Sequence, residues 1–189
     1  MDQGWRVIKF GGTSVSDLAS WSNITTILRE YQQQGYRVIL VCSAPHRVSN
    51  ELHVLFDLLQ AGNDIQSQMH LIQTIFMTLC DELSVSRDVF TTTIWPGLMT
   101  CVDEIQSNDC PPEANQAELM AWGELMLTQL AARYLQQQAL AATWMDARQV
   151  LVSSDAEHQS IANHYLKAHI DIEPDADWSA TLTADVYIT

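Results

Sequence analysis

The sequence of 189 residues reads as an α/β protein built on a parallel sheet. The first forty residues spell strand, helix, strand, the crossover unit of parallel pairing. Both strand runs are too continuously apolar for a sheet with one wet face. Between Asn50 and about Gln138 strand signals vanish and the apolar period becomes helical. With 47% hydrophobic residues, the chain can bury a sizeable core in one domain or a large piece of one.

Trp5 to Phe10 predicts a short buried strand, which Gly11 and Gly12 end. Ser14 or Ser16 can cap the following helix, whose apolar positions Val15, Leu18, Trp21, Ile24, Ile27, Leu28 and Tyr31 recur at three to four. Gly35 stops it, and "YRVILVC" from Tyr36 to Cys42 is the second strand. A helical insertion follows over about 50–138. Leu52 to Leu59 opens its first helix, and Ile65 to Leu83 marks a longer one. Pro96 and Gly97 kink or break a third, between Val89 and Ile105. After the loop "NDCPPE", a long helix runs through "ELMAWGELMLTQLAARYL". "ALAATWM" then predicts a strand, "QVLVSS" another, Ser160 to Lys167 a weak helix, and "ADVYIT" a final strand.

Nine Lys plus Arg against 23 Asp plus Glu give a net charge of -14, which argues against a nucleic-acid or anionic-membrane surface. No run approaches the ~18 apolar residues of a membrane span, and no basic leader precedes the first strand, so a cytoplasmic protein is expected. Cys42, Cys80, Cys101 and Cys110 form no CxxC pair and read as reduced structural thiols. His158, His164 and His169 lack metal-ligand spacing, and no metal ligand is assigned. The methionines read as core filler.

Lys9 is the residue that asks for an explanation. It is one of only two lysines, and it sits inside the apolar run "VIKFGGTSV" just ahead of two glycines. Glycines let backbone N–H groups approach a phosphate, the next helix presents its positive end, and a lysine at the strand's C-terminal end adds a point charge. A tight turn with a snorkelling lysine produces the same pattern. Glu124 shares a helical face with Met120, Leu127 and Ala131, an apolar setting for a carboxylate unless it has a partner. Gly123 beside it costs the helix about 1 kcal/mol relative to Ala, so something must approach the backbone there. A glutamate on the helix surface is the plainer reading. Asp146 and Arg148 can touch substrate, but a capped turn or structural ion pair accounts for them better.

Three segments carry a resemblance. "VIKFGGTSV" resembles the opening signature of the aspartate kinases within the amino acid kinase family. "VCSAPHRVSN" is similar to the family's passage from its second strand into Ser/Thr-Asn. "AWGELMLTQLAARYL" followed by "ATWMDARQVL" is similar to its Gly-Glu helix and Asp-x-Arg segment. The last two look most like the bifunctional aspartate kinase/diaminopimelate decarboxylase subgroup. The resemblance implies a parallel-sheet sandwich of the amino acid kinase type, and transfer of the ATP γ-phosphate to the β-carboxylate of L-aspartate with Mg²⁺. That step opens the route to lysine, threonine and methionine. Carried onto this sequence, it gives Lys9 the transferring phosphate oxygens and places Gly11, Gly12 and Ser14 in the phosphate-facing turn. It gives Ser43, Ser49 and Glu124 contacts to aspartate.

The sequence departs from that pattern in two ways. Arg47 stands where the family has glycine, which predicts an altered aspartate loop, and Ser49 replaces threonine but keeps the hydroxyl. The family's Gly-Arg-Gly-Gly-Ser-Asp segment, its nucleotide-binding half and its regulatory domains are not in residues 1–189. The expectation is therefore the N-terminal, substrate-side portion of a kinase domain, with little or no kinase activity by itself. Its partners would be L-aspartate, ATP and, in a homo-oligomer, a second copy. Another amino acid kinase, or a noncatalytic module that binds aspartate or a subunit, remains open at this point.

Overall fold

The computed structural model describes residues 4–151, 160–166 and 176–189. Strand β1 (Trp5–Phe10) leads through a 3-10 turn (Gly12–Val15) into helix α1 (Leu18–Gln33) and strand β2 (Arg37–Cys42). Helices α2 (Val48–Gln60), α3 (Gln66–Glu82), α4 (Arg87–Val89), α5 (Trp95–Ser107) and α6 (Pro112–Gln137) form the insertion. Strand β3 (Ala142–Trp144), a 3-10 turn (Ala147–Gln149), α7 (Ile161–Leu166), α8 (Ala176–Thr181) and strand β4 (Val186–Ile188) complete the described elements. Val150 and Leu151 form no strand, and the rest of "QVLVSS" lies outside the described residues, as do His158, His169 and Lys167.

The four strands are parallel, in the order β1-β2-β4-β3. The last strand in the chain thus lies inside the sheet, with Val186, Tyr187 and Ile188 all buried. Among the described residues β1 lies at the edge of the sheet, where the sequence predicted a buried strand. Val7 is 68% exposed and Arg6 and Lys9 are exposed, whereas Ile8 and Phe10 pack on the core. An apolar run reports apolar side chains, not the number of neighbours a strand acquires.

A single apolar core joins sheet and helices, with α6 as its spine. Trp21, Ile24 and Leu28 of α1, Leu52 and Leu55 of α2, and Phe76 of α3 are fully buried, in keeping with the helical period. Neither Ser14 nor Ser16 caps α1. Asp17 does, accepting from the Ser20 amide at 2.7 Å, while Ser16 is drawn into a loop contact. At Pro96 the helix is not broken, but its α register is interrupted just ahead of the proline. Between α4 and α5, Phe90–Ile94 adopts a π-helical turn in which the Trp95 amide donates to Phe90. Pro96, with no N–H to place, then falls in the first turn of α5, where none is needed. Gly97 is required by packing, since a Cβ there would lie 2.1 Å from the Trp122 ring.

Cys42, Cys80 and Cys101 are buried, Cys110 is exposed, and all four are free thiols. Burial pushes the Cys42 thiol up to about 12, the behaviour of an inert core residue. Among the methionines, Met126 is buried but Met99 is 48% exposed. No helix among the described residues is long and apolar enough to cross a membrane.

Candidate functional site

Parallel strands end on one side of a sheet, so the loops after β1, β2 and β3 share a rim with Thr189. Lys9, the penultimate residue of β1, pairs in register with Val41 and reaches this rim. Its Nζ lies 3.9 Å from the point where a Cβ on Gly11 would sit, so the amine hangs over the glycine turn. Among the described residues it makes no hydrogen bond or ion pair. The amides of Gly11, Gly12 and Thr13 likewise donate to no acceptor among the described residues, while the Ser14 amide closes the turn on Gly11 O at 2.9 Å. One ammonium and three spare N–H groups make a cradle for an oxyanion. Ser14 is exposed at its outer side.

The loop after β2 is fastened to this turn. Ser43 N donates to Phe10 O at 3.1 Å and His46 N to Gly12 O at 3.2 Å. The Ser16 hydroxyl accepts from His46 N at 2.8 Å and donates to Gly12 O. A Cβ on Gly12 would stand 2.6 Å from Ala44 O, so the second glycine of the pair is there to let the loops touch. The Ser16 staple had no signal in the sequence, because its partner lies thirty residues away.

Glu124 on α6 reaches the same loop, its Oε1 accepting from Ala44 N at 2.9 Å. What approaches Gly123 is also Ala44, whose Cβ would lie 2.7 Å from a Cβ there, with Leu52 and Val48 of α2 close behind. The apolar surroundings of Glu124 are thus answered in part by a backbone amide. Ser49 lies half-buried in the first turn of α2, just after Arg47. Arg47 has φ of 73°, so the chain keeps a left-handed backbone with arginine in place of glycine. An arginine held in this left-handed conformation carries backbone strain that glycine would not.

Beside Glu124 opens a cleft of about 250 Å³, lined also by Thr128, Asp146, Arg148 and Thr189. Asp146 accepts from Arg148 N at 3.0 Å and holds its guanidinium at 2.9 Å, and Glu118 takes the other guanidinium nitrogen at 2.6 Å. Arg148 holds the Asp146 carboxyl below the usual carboxylate range. This pair caps its own turn, the structural reading of Asp-x-Arg. His164 is exposed, and among the described residues no three His, Cys, Asp or Glu side chains converge as a metal site.

The sequence profile described as the amino acid kinase family matches residues 4–173. The chain belongs to the amino acid kinase family. It is 28% identical over 166 residues to the bifunctional aspartokinase/homoserine dehydrogenase 2 of Escherichia coli K12, covering 84% of this chain and 20% of that protein. It is 22% identical to the chloroplastic bifunctional enzyme 1 of Zea mays, covering 97% of this chain and 20% of that protein. The second activity named in both is homoserine dehydrogenase, where the sequence resemblance pointed to diaminopimelate decarboxylase. The fold matches E. coli aspartokinase III in complex with lysine and aspartate, with TM-score 0.74, 23% identity, and coverage of 96% of this chain and 40% of that one. It also matches the aspartate kinase of Clostridium acetobutylicum, with TM-score 0.69, 16% identity and coverage of 100% and 38%. The chain thus spans about a fifth of the length of its curated relatives.

Proposed function

We propose that this chain forms the substrate side of an aspartate kinase, holding L-aspartate and the phosphoryl group that ATP transfers to its β-carboxylate. The observation that carries the proposal is the cradle at the rim, where Lys9 stands over the spare amides of Gly11, Gly12 and Thr13. Both reactants are anions, so neutralising and aligning them is most of the work. Lys9 meets the transferring oxygens, and the Gly11–Thr13 amides, with Ser14 at their edge, receive the phosphate. A solved structure of E. coli aspartokinase III contains aspartate and ADP, the ligand classes this reading requires.

Ser43, Ser49 and Glu124 take the aspartate. Glu124 spends Oε1 on Ala44, and its Oε2 has no partner among the described residues, leaving it to accept from the substrate ammonium. The same carboxylate therefore holds the loop and the ligand. Mg²⁺ would accompany ATP and neutralise its phosphates; the described residues offer it no ligand cluster. The setting is cytoplasmic lysine, threonine and methionine biosynthesis, and assembly into a homo-oligomer belongs to the same proposal.

Titration of the isotopically labelled chain with L-aspartate and with MgATP tests the assignment. Aspartate should shift the amides of Ser43, Ala44 and Ser49, and Glu124→Gln should weaken that response. MgATP should shift Gly11 to Thr13. If neither ligand moves either loop, the assignment is wrong.

A further inference from the structure

Among the described cations two lack any partner: Lys9 at the rim and Arg133 on α6. Every other described arginine is engaged. Arg29 donates to Gln138 O at 2.7 Å, Arg47 faces Glu51 at 3.7 Å, Arg87 pairs with Asp81, and Arg148 with Asp146 and Glu118. Arg6 and Arg37 lie over the rings of Tyr36 and Trp5, at 4.0 and 4.4 Å. Of the described arginines, Arg133 is the one with neither a carboxylate, a carbonyl nor a ring against its guanidinium.

Arg133 lines a cleft of about 260 Å³ between the π-helical turn, the C-terminal half of α6 and strand β3. Thr93 and Ile94 come from the π turn, Thr143 and Trp144 from β3, and Gln136 from α6. The hydroxyls of Thr93 and Thr143 have no partner among the described residues. β3 is an edge strand, and the Ala142 carbonyl turns away from β4 to accept from Gln136 Nε2 at 2.8 Å. Trp144, two residues on, presents its main-chain groups to the same open side. Its indole N–H is anchored on Thr128 Oγ1 at 2.9 Å, which holds the ring as a fixed wall. A π turn is a rare departure from α-helical register and recurs where helices build sites.

We infer that this cleft binds a small organic anion, a carboxylate carried on a short apolar body. Arg133 supplies a planar fork matched to a carboxylate, the threonine hydroxyls and the open strand edge supply further donors, and Trp144 with Ile94 takes the apolar part. None of these residues belongs to the rim cradle, so the inference stands apart from the proposed kinase chemistry.

Phenylacetate is a suitable probe, with 2-phenylethanol as its uncharged counterpart, read by the Trp144 indole and the Thr143 and Trp144 amides of the labelled chain. Phenylacetate should shift these signals saturably, and the alcohol should bind about tenfold more weakly or worse. Arg133→Gln should weaken phenylacetate by about tenfold or more, and Arg133→Lys, which keeps charge but loses the fork, by less. Arg133 is exposed, so both variants should fold. Lys9→Ala should leave this binding unchanged. The inference is overturned if phenylacetate leaves Trp144 unmoved, if the alcohol binds equally well, if Arg133→Gln binds like the parent, or if the response moves to Gly11–Thr13 and vanishes with Lys9→Ala.

Discussion

The loops after β1 and β3 reach the same rim with opposite polar accounting. After β3, Asp146 caps its turn and holds Arg148, and Arg148 reaches Glu118, so each charge has its counterpart within the loop or next to it. After β1, the Lys9 amine and three successive amides have no counterpart among the described residues. Lys9 and Thr13 are exposed, so water can satisfy them, but an ammonium gathered with three successive amides on one turn is an arrangement suited to an oxyanion. Among the described residues the first loop keeps donors free of protein acceptors, and the charges of the third are paired. The sequence already favoured a capped turn or ion pair for Asp146 and Arg148, and the hydrogen bonds agree.

The sharpest way to break the contrast is Lys9→Ala. In an active kinase that contains this chain, it should lower kcat by about 10²- to 10³-fold, the loss of a donor aimed at developing charge. An aspartyl hydroxamate assay reads it, and an unchanged rate would make the first loop as structural as the third. Next in size is Gly12→Ala, which tests whether the cradle depends on loop contact. Its Cβ would meet Ala44 O at 2.6 Å, a rigid backbone atom, so one loop must move. The expected loss is about 1–3 kcal/mol in urea unfolding, the usual range for overpacking. No loss would mean the two loops are free to part.

The alternation of periods made β1, α1, β2 and the long α6 legible, since each needs only local spacing. Sheet order was not legible. Nothing within "ADVYIT" says that it enters between β2 and β3, because its partners lie far off in sequence, Val38 on one side and Ala142 on the other. Lys9 and the glycine pair stood out in the sequence, but the close approach of Gly12 to Ala44 O depends on a loop some thirty residues away. Glu124 was legible as a misplaced carboxylate, while its partner Ala44 N lay eighty residues upstream. Pro96 marked an interruption of the α-helical register, but that it takes the form of a π turn just ahead of the proline was not legible.

Arg47 offers a smaller test of how the rim is held. Its φ of 73° costs an L-residue about 1–2 kcal/mol, and its ion pair with Glu51 is a loose surface contact at 3.7 Å. Arg47→Gly relieves the strain but loosens the unfolded chain, so a net gain of about 1 kcal/mol is expected. Thermal unfolding of the chain checks it. A loss of stability instead would mean that the arginine side chain, and not the backbone path, holds the loop after β2.

The smallest expected effect lies in the self-satisfied loop. The Arg148 guanidinium lowers the Asp146 carboxyl in the folded chain, while in the unfolded chain it titrates near its ordinary value of about 3.9. A depressed carboxylate stabilises the fold above its unfolded value, and the contribution fades as pH falls through the folded one. The Arg148 side chain is 42% exposed, so water screens the pair and its worth is about 0.5 kcal/mol. Asp146→Asn should therefore be slightly less stable than the parent at pH 7, and the gap should close as pH falls below the ordinary carboxylate value. Denaturation midpoints across that fall measure it. If the gap persisted unchanged at low pH, the ion pair would not be its source, and the quiet of the third loop would have to come from the turn geometry alone.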